Sequence, residues 1–337
     1  MKLTFEQIQS ITSGAVSMKQ TPQGIQFFRF TQEQLAIYPR RREALVLKSL
    51  ATSGMKFCFE TDSESLFIKG NFVRASSRSY FSVDVKVNGK VIGSMDNFSH
   101  VEIPPIYTDM EFPMGNYEKR FDLGKGTKTV TVYLPWNKIV TLEEVSLDDG
   151  STLKPIRFSK KLLAYGDSIT QGFDAMRNYN RQAGRLAEML GAEEISKAVG
   201  AERFDPELAA LRDDFDPEYI LVAYGTNDWS GLTHEQFYSN CRGFFANLQK
   251  NYPNAKVFVV TPIWRKDHET PKAMGPFEIV ARDIRQITEG MENVTIIDGL
   301  TLVPHDAGFY ADGRLHPNDA GFEHYFQNLW NAVKEHA

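Results

Sequence analysis

Ser168 lies in Tyr165-Gly166-Asp167-Ser168-Ile169-Thr170-Gln171-Gly172, a Gly-flanked turn that directly follows the apolar run Leu162-Leu163-Ala164. A serine hydroxyl is a poor nucleophile at neutral pH, so it needs a base to take its proton and donors to hold the oxyanion it creates. Two further polar blocks offer both. Gly225-Thr226-Asn227-Asp228 follows the apolar run Tyr219-Ile220-Leu221-Val222-Ala223-Tyr224, and Asp312-Gly313-Arg314-Leu315-His316-Pro317-Asn318 lies near the C-terminus. Ser168 would attack an ester carbonyl, and His316 would accept the serine proton and return it to the leaving alcohol. Each block also has a plainer use. Gly-Asp-Ser favours turns, Asn227-Asp228 suits a helix N-cap ahead of Thr233, and Pro317 suits the first turn of a helix ending near Val333. Those uses do not account for the three blocks occurring together in one half of the chain.

In this order the blocks resemble the SGNH (GDSL-type) hydrolase superfamily of esterases, lipases and carbohydrate deacetylases, from about Phe158 onward. The resemblance implies Ser168, Gly200, Asn227 and His316 as active-site residues, Gly200 being taken from Lys197-Ala198-Val199-Gly200-Ala201. The oxyanion would then meet the backbone N–H groups of Ser168 and Gly200 and the side-chain amide of Asn227. An uncharged amide donor costs less to bury than a cation. Asp312 stands four residues before His316, where many relatives carry their acid three before. Gly313 lets the loop absorb the extra residue, so Asp312 is expected to hold the imidazole tautomer. A Ser168–His316 dyad oriented by a backbone carbonyl is the alternative. Asp167 is expected to brace the turn through backbone hydrogen bonds. Trp229 and Trp264 are candidate walls of a substrate pocket, although packing explains either.

Residues 1–155 read as strands, among them Leu66-Phe67-Ile68-Lys69-Gly70, Val83 to Val87 joined through Asn88-Gly89 to Lys90-Val91-Ile92, and Thr127 to Leu134. Alternation about Asn-Gly is a strong hairpin signal, and a series of such strands without long amphipathic helices predicts a β-sandwich, jelly-roll-like in type. Residues 156–337 instead alternate apolar strands with helical patterns. Lys161 to Tyr165, Glu194 to Val199, Tyr219 to Tyr224, Lys256 to Val260 and Val294 to Asp298 predict a five-stranded parallel sheet. Helices are expected at Asn180 to Leu190, Pro206 to Arg212 and Thr233 to Lys250. The expected class is therefore α/β, with a flavodoxin-like SGNH hydrolase domain after the sandwich and the polar blocks at strand C-termini, where open α/β sheets place their sites.

Composition narrows the function. A chain of 337 residues with 42% hydrophobic and 24% charged content is globular, and a net charge of -5 argues against nucleic acid as a partner. No run approaches the ~18 apolar residues of a membrane span, and Met1-Lys2-Leu3-Thr4-Phe5-Glu6-Gln7 lacks a signal-peptide core, so a cytoplasmic address and no membrane partner are expected. Cys58 and Cys241 are expected to be buried free thiols. The seven histidines form no His-x-His or His-Glu-x-x-His pattern, so neither metal nor other cofactor is expected. A sandwich preceding an SGNH domain resembles two-domain carbohydrate esterases, which implies O-acetyl groups on a sugar or oligosaccharide as substrate. A lipase or lysophospholipase activity is the enzymatic alternative, weakened by the lack of a long apolar lid segment. A non-catalytic sugar-binding protein is a further alternative, opposed by the joint presence of serine, asparagine and histidine.

Overall fold

The computed structural model describes residues 1–337. Up to Pro155 the strands form two antiparallel sheets. One runs, in spatial order, Ser17–Thr21, Gly24–Phe28, Lys138–Leu147, Ser65–Arg74 and Gly115–Asp122. The other runs Thr12–Ser13, Lys56–Thr61, Lys128–Tyr133, Ser82–Val87 and Lys90–Asp96, with Lys154–Pro155 also pairing Lys56–Thr61. Period-two alternation turns Leu66, Ile68 and Phe72 inward to join Phe57, Phe59, Val83, Val85, Val130 and Val132 in one core, which makes the pair a β-sandwich. The hairpin at Asn88-Gly89 forms as expected. Both residues have positive φ, 49° and 78°, and Val87 pairs with Lys90 across a two-residue turn.

From Lys160 onward the chain builds a parallel sheet of five strands, ordered Ala192–Ser196, Lys160–Gly166, Tyr219–Ala223, Lys256–Val260 and Val294–Ile297. In chain order this is 2-1-3-4-5, the flavodoxin-like arrangement. Gln182–Met189 and Asp319–Val333 cover one face through Leu186, Phe322 and Leu329. Pro206–Ala210, His234–Asn251 and Glu278–Thr288 cover the other through Leu208, Phe244, Phe245 and Ile284. The strand order reverses between Lys160–Gly166 and Tyr219–Ala223, which opens a crevice at their C-terminal ends. No helix is long and apolar enough to cross a membrane. Cys58 and Cys241 are both buried and unpaired.

The chain before 155 is not strand alone. Short helices at Gln32–Leu35, Tyr38–Arg41 and Glu43–Ser49 leave the sandwich, and Phe30, Ile37, Tyr38 and Leu45 enter the core of the parallel-sheet half beside Leu163, Tyr165 and Val199. A second contact is aromatic. Tyr80, Phe98, Tyr107, Phe112 and Trp136 from the sandwich half pack with Phe173 and Ala311 from the other. The region is expected to lack long amphipathic helices, and these short ones add to its strands. These helices, the longest only seven residues, are held by long-range packing that their own periodicity does not announce.

Candidate active site

Ser168 lies one residue beyond Asp167, which follows the C-terminal end of Lys160–Gly166, and opens a one-turn helix, Ser168–Gln171. Asp167 caps that helix, its carboxylate accepting the Ile169 N–H at 2.9 Å. Capping leaves the Ser168 hydroxyl free of structural duty. Its one side-chain partner is His316, with Oγ 2.9 Å from Nε2. The other ring nitrogen, Nδ1, lies 2.9 Å from Asp312 Oδ2. The second carboxylate oxygen, Oδ1, accepts backbone N–H groups from Arg314, Leu315 and His316 at 2.9, 2.7 and 3.1 Å. Gly313 makes this wrap possible with a φ of 62°, a left-handed conformation that disfavours any side chain. Burial alone would raise the Asp312 carboxyl, yet the His316 hydrogen bond and charge together with the backbone N–H groups hold it well below the usual carboxylate range. An ionised Asp312 accepts a proton-bearing Nδ1, which leaves Nε2 as the acceptor facing Ser168.

A second carboxylate faces the same nitrogen. Asp174 is fully buried at a φ of 73°, and its Oδ2 lies 3.7 Å from His316 Nδ1. Arg78 of the sandwich half forks onto it at 2.6 and 3.0 Å, and the Tyr80 hydroxyl donates to it as well. Asp174, Asp312 and His316 bring their ligand-type atoms within 4.8 Å of one another. The Asp312 oxygens are taken by N–H donors and those of Asp174 by Arg78 and Tyr80, the pattern of a hydrogen-bonded relay. Phe173 stacks on the His316 ring at 5.6 Å and packs tilted against Trp136 at 4.7 Å, so the imidazole is backed by the aromatic contact between the two halves.

The oxyanion side departs from expectation at Gly200. Its N–H already donates to Gln171 Oε1 at 2.6 Å, so it is not a free donor. Glycine is required there for space, because a Cβ would lie 2.7 Å from the Phe173 ring. The neighbouring Ala201 has a φ of 70° and an N–H that meets no acceptor within the protein, as does the Ser168 N–H. Val199 to Glu202 is a β-turn, closed by Glu202 N–H to Val199 O at 2.9 Å. Asn227 is half-buried and donates one amide hydrogen to Glu202 O at 3.0 Å, which ties its side chain to the same turn. The resemblance to a glycine-bearing block drew attention to Gly200, whereas the backbone conformation singles out Ala201.

Trp229 is corrected outright. It is only 1% exposed, packs on Phe277 at 4.9 Å and donates its indole N–H to Gly275 O at 2.9 Å, so it forms no pocket wall. Trp264 is half-buried, against Tyr310 at 5.1 Å and stacked on His305 at 5.8 Å, which leaves it beside the loop that carries Asp312. Asp174, Arg78 and Ala201 escaped the sequence reading, since nothing local marks them. Only the left-handed backbone at 174 and 201 does so, and that is visible in three dimensions alone.

Two buried acids near Ser168 carry a stability signature. Burial pushes Asp167 up to about 6 and Asp228 up to about 7. An unfolded Asp titrates near ~4, so the folded chain holds these protons more tightly. The stability they contribute is complete below about 4 and is lost as the pH climbs towards about 7. Urea midpoints should therefore fall from pH 5 to pH 8 in the wild type, and fall less in Asp228→Asn. An identical fall in both would remove Asp228 from this linkage.

Residues 164–324 match the GDSL-like Lipase/Acylhydrolase family. Among solved structures, a salicylyl-acyltransferase from a tetracycline biosynthetic pathway is 22% identical over 96% of this chain and 94% of its own, with a TM-score of 0.78. A Bacteroides ovatus protein described as a GDSL-like lipase is 17% identical over 99% and 97%, with a TM-score of 0.76. An acetyl xylan esterase from the rumen bacterium Butyrivibrio proteoclasticus is 15% identical over 85% and 92%, with a TM-score of 0.58. These likenesses establish a shared fold. No curated protein sequence matches the chain.

Proposed function

We propose, from the match of residues 164–324 to the GDSL-like lipase/acylhydrolase family, that the protein is a serine esterase acting through Ser168, His316 and Asp312 on O-acetyl groups of a sugar or oligosaccharide. The observation that carries the reading is the unbroken relay, 2.9 Å from Ser168 Oγ to Nε2 and 2.9 Å from Nδ1 to Asp312. In the first step the Ser168 proton passes to His316 Nε2 as Oγ bonds to the carbonyl carbon, and the carbonyl electron pair moves onto oxygen. Collapse of that tetrahedral species expels the alcohol, which takes the proton from Nε2. Water then repeats the sequence on the acyl-serine and releases the carboxylic acid and free Ser168. The N–H groups of Ser168 and Ala201 and the Asn227 amide are the donors assigned to the oxyanion, Ala201 replacing Gly200. Preorganised donors of this kind each contribute roughly 10²–10³ in turnover.

The sugar ester rests on likeness of architecture to carbohydrate esterases such as the acetyl xylan esterase above. Acetate release from acetylated xylose, set beside release from choline and fatty esters, tests it. Preference for a long-chain ester would favour the lipase alternative, and no turnover of any ester would favour a binding protein.

Asp312→Asn probes the relay itself. The three backbone N–H bonds to Oδ1 survive the change, so the loop should hold. The new amide would point N–H at Nδ1, force the proton onto Nε2 and leave His316 unable to accept from serine. A loss of roughly 10⁴ in kcat is expected, the size seen for the same change in a well-studied triad. A variant retaining more than about a tenth of turnover would move the orienting role to Asp174 or to a dyad.

A further inference from the structure

Four carbonyls in and before the turn that carries the assigned oxyanion donor are gripped by cations from the first 50 residues. Arg29 Nη1 donates to the carbonyls of Ser196 and Ala198, Lys48 Nζ to that of Gly200 at 3.0 Å, and Arg42 Nη2 to that of Ala201 at 2.9 Å. Arg29 is itself buried and locked onto Ala51 O and Lys48 O at 2.9 and 2.7 Å. Arg41 extends the grip to the carboxylates of Glu202 and Asp205 at 2.9 and 2.6 Å.

Lys48 holds the one peptide that matters for the chemistry. In the turn from Val199 to Glu202, the φ of 70° at Ala201 is that of a type II turn. A residue with a Cβ prefers type I at that position, the left-handed form costing on the order of 1–2 kcal/mol. The two turns share the same closing hydrogen bond and differ by a flip of the central peptide, Gly200–Ala201. A trans peptide carries its C=O and N–H on opposite sides. Lys48 on the Gly200 carbonyl therefore keeps the Ala201 N–H turned the other way. Flipped, the peptide would present a carbonyl where the oxyanion needs a donor. We propose that Lys48 is a positioning residue that holds this turn in its type II form, so that residues outside the parallel-sheet half determine whether the oxyanion hole is assembled. The inference rests on the esterase reading and on Ala201 as a donor.

The test is kinetic. Lys48→Met keeps the aliphatic stem against Gly200 and removes the donor. With p-nitrophenyl acetate, kcat should fall roughly 10- to 100-fold, less than outright loss of a donor because part of the population keeps the productive turn. KM should change less than about twofold. Binding of a trifluoromethyl ketone, which mimics the tetrahedral species, should weaken by the same factor as kcat. Lys48→Arg should recover much of the loss. Adding Ala201→Gly to Lys48→Met should also recover part of it, because glycine removes the cost of the left-handed turn. A merely structural role for Lys48 predicts no such recovery. Unchanged kcat in a folded Lys48→Met, or a loss that Ala201→Gly deepens, overturns the proposal. A wild-type chain that hydrolyses no ester overturns the esterase reading and this inference with it.

Discussion

Ser168→Ala is expected to reduce ester hydrolysis on the order of 10⁶-fold while leaving the fold unchanged. In the proposed mechanism the hydroxyl supplies the bond-forming electron pair, and the remaining groups can only polarise substrate and orient water. Structure gives no other reason for loss. Ser168 Oγ has a single side-chain partner, His316, and the helix it opens is capped by Asp167. His316 keeps its bond to Asp312, so the base stays in place. Turnover of p-nitrophenyl acetate measures the first half of the claim, and near-UV circular dichroism the second. Labelling with a fluorophosphonate followed by peptide mass spectrometry gives an independent reading. Modification of a different serine, or appreciable activity in the variant, would sink the assignment.

A chain starting at Phe158 should be insoluble or inactive, because the first 157 residues complete the core of the rest. Phe30, Ile37, Tyr38 and Leu45 would leave the larger core cluster. At about 1.5–3 kcal/mol for each buried side chain, their loss is roughly 6–12 kcal/mol, an upper estimate that still rivals the ~5–15 kcal/mol stability of a whole domain. The fully buried Lys197–Asp213 pair would lose the Arg29 carbonyl and the Gln34 amide that complete its hydrogen bonding. At the site, Asp174 would lose Arg78 and Tyr80, leaving an uncompensated carboxylate 3.7 Å from His316. Phe173 would lose Trp136 and expose an aromatic face. Solubility, thermal unfolding and acetyl-ester turnover of the truncated chain decide the matter. A stable truncation that works at nearly the intact rate would refute it.

What could be read from residues alone is whatever local chemistry writes into adjacent positions. The Gly-flanked turn after an apolar strand marks Ser168, and Asp312 and His316 lie close enough in sequence for one loop with a glycine to join them, as it does. Asn88-Gly89 and its alternating flanks announce a hairpin, because only a few residue types accept positive φ twice in succession. The parallel sheet shows itself through five short apolar runs. Other features depend on partners far along the chain. Lys48 meets Gly200 across 152 positions, and Arg78 meets Asp174 across 96. Trp229 reads as a pocket wall from its place after Asp228 and is core because Phe277 and Gly275 close over it. The family resemblance implies Gly200 as a donor, yet Gln171 takes its N–H, and the donor proposed in its place is Ala201, on the peptide whose carbonyl Lys48 holds. A residue's type limits what it can do, whereas the direction of an N–H or the charge facing a carboxylate is set by backbone dihedrals and by side chains that only folding brings within 3 Å.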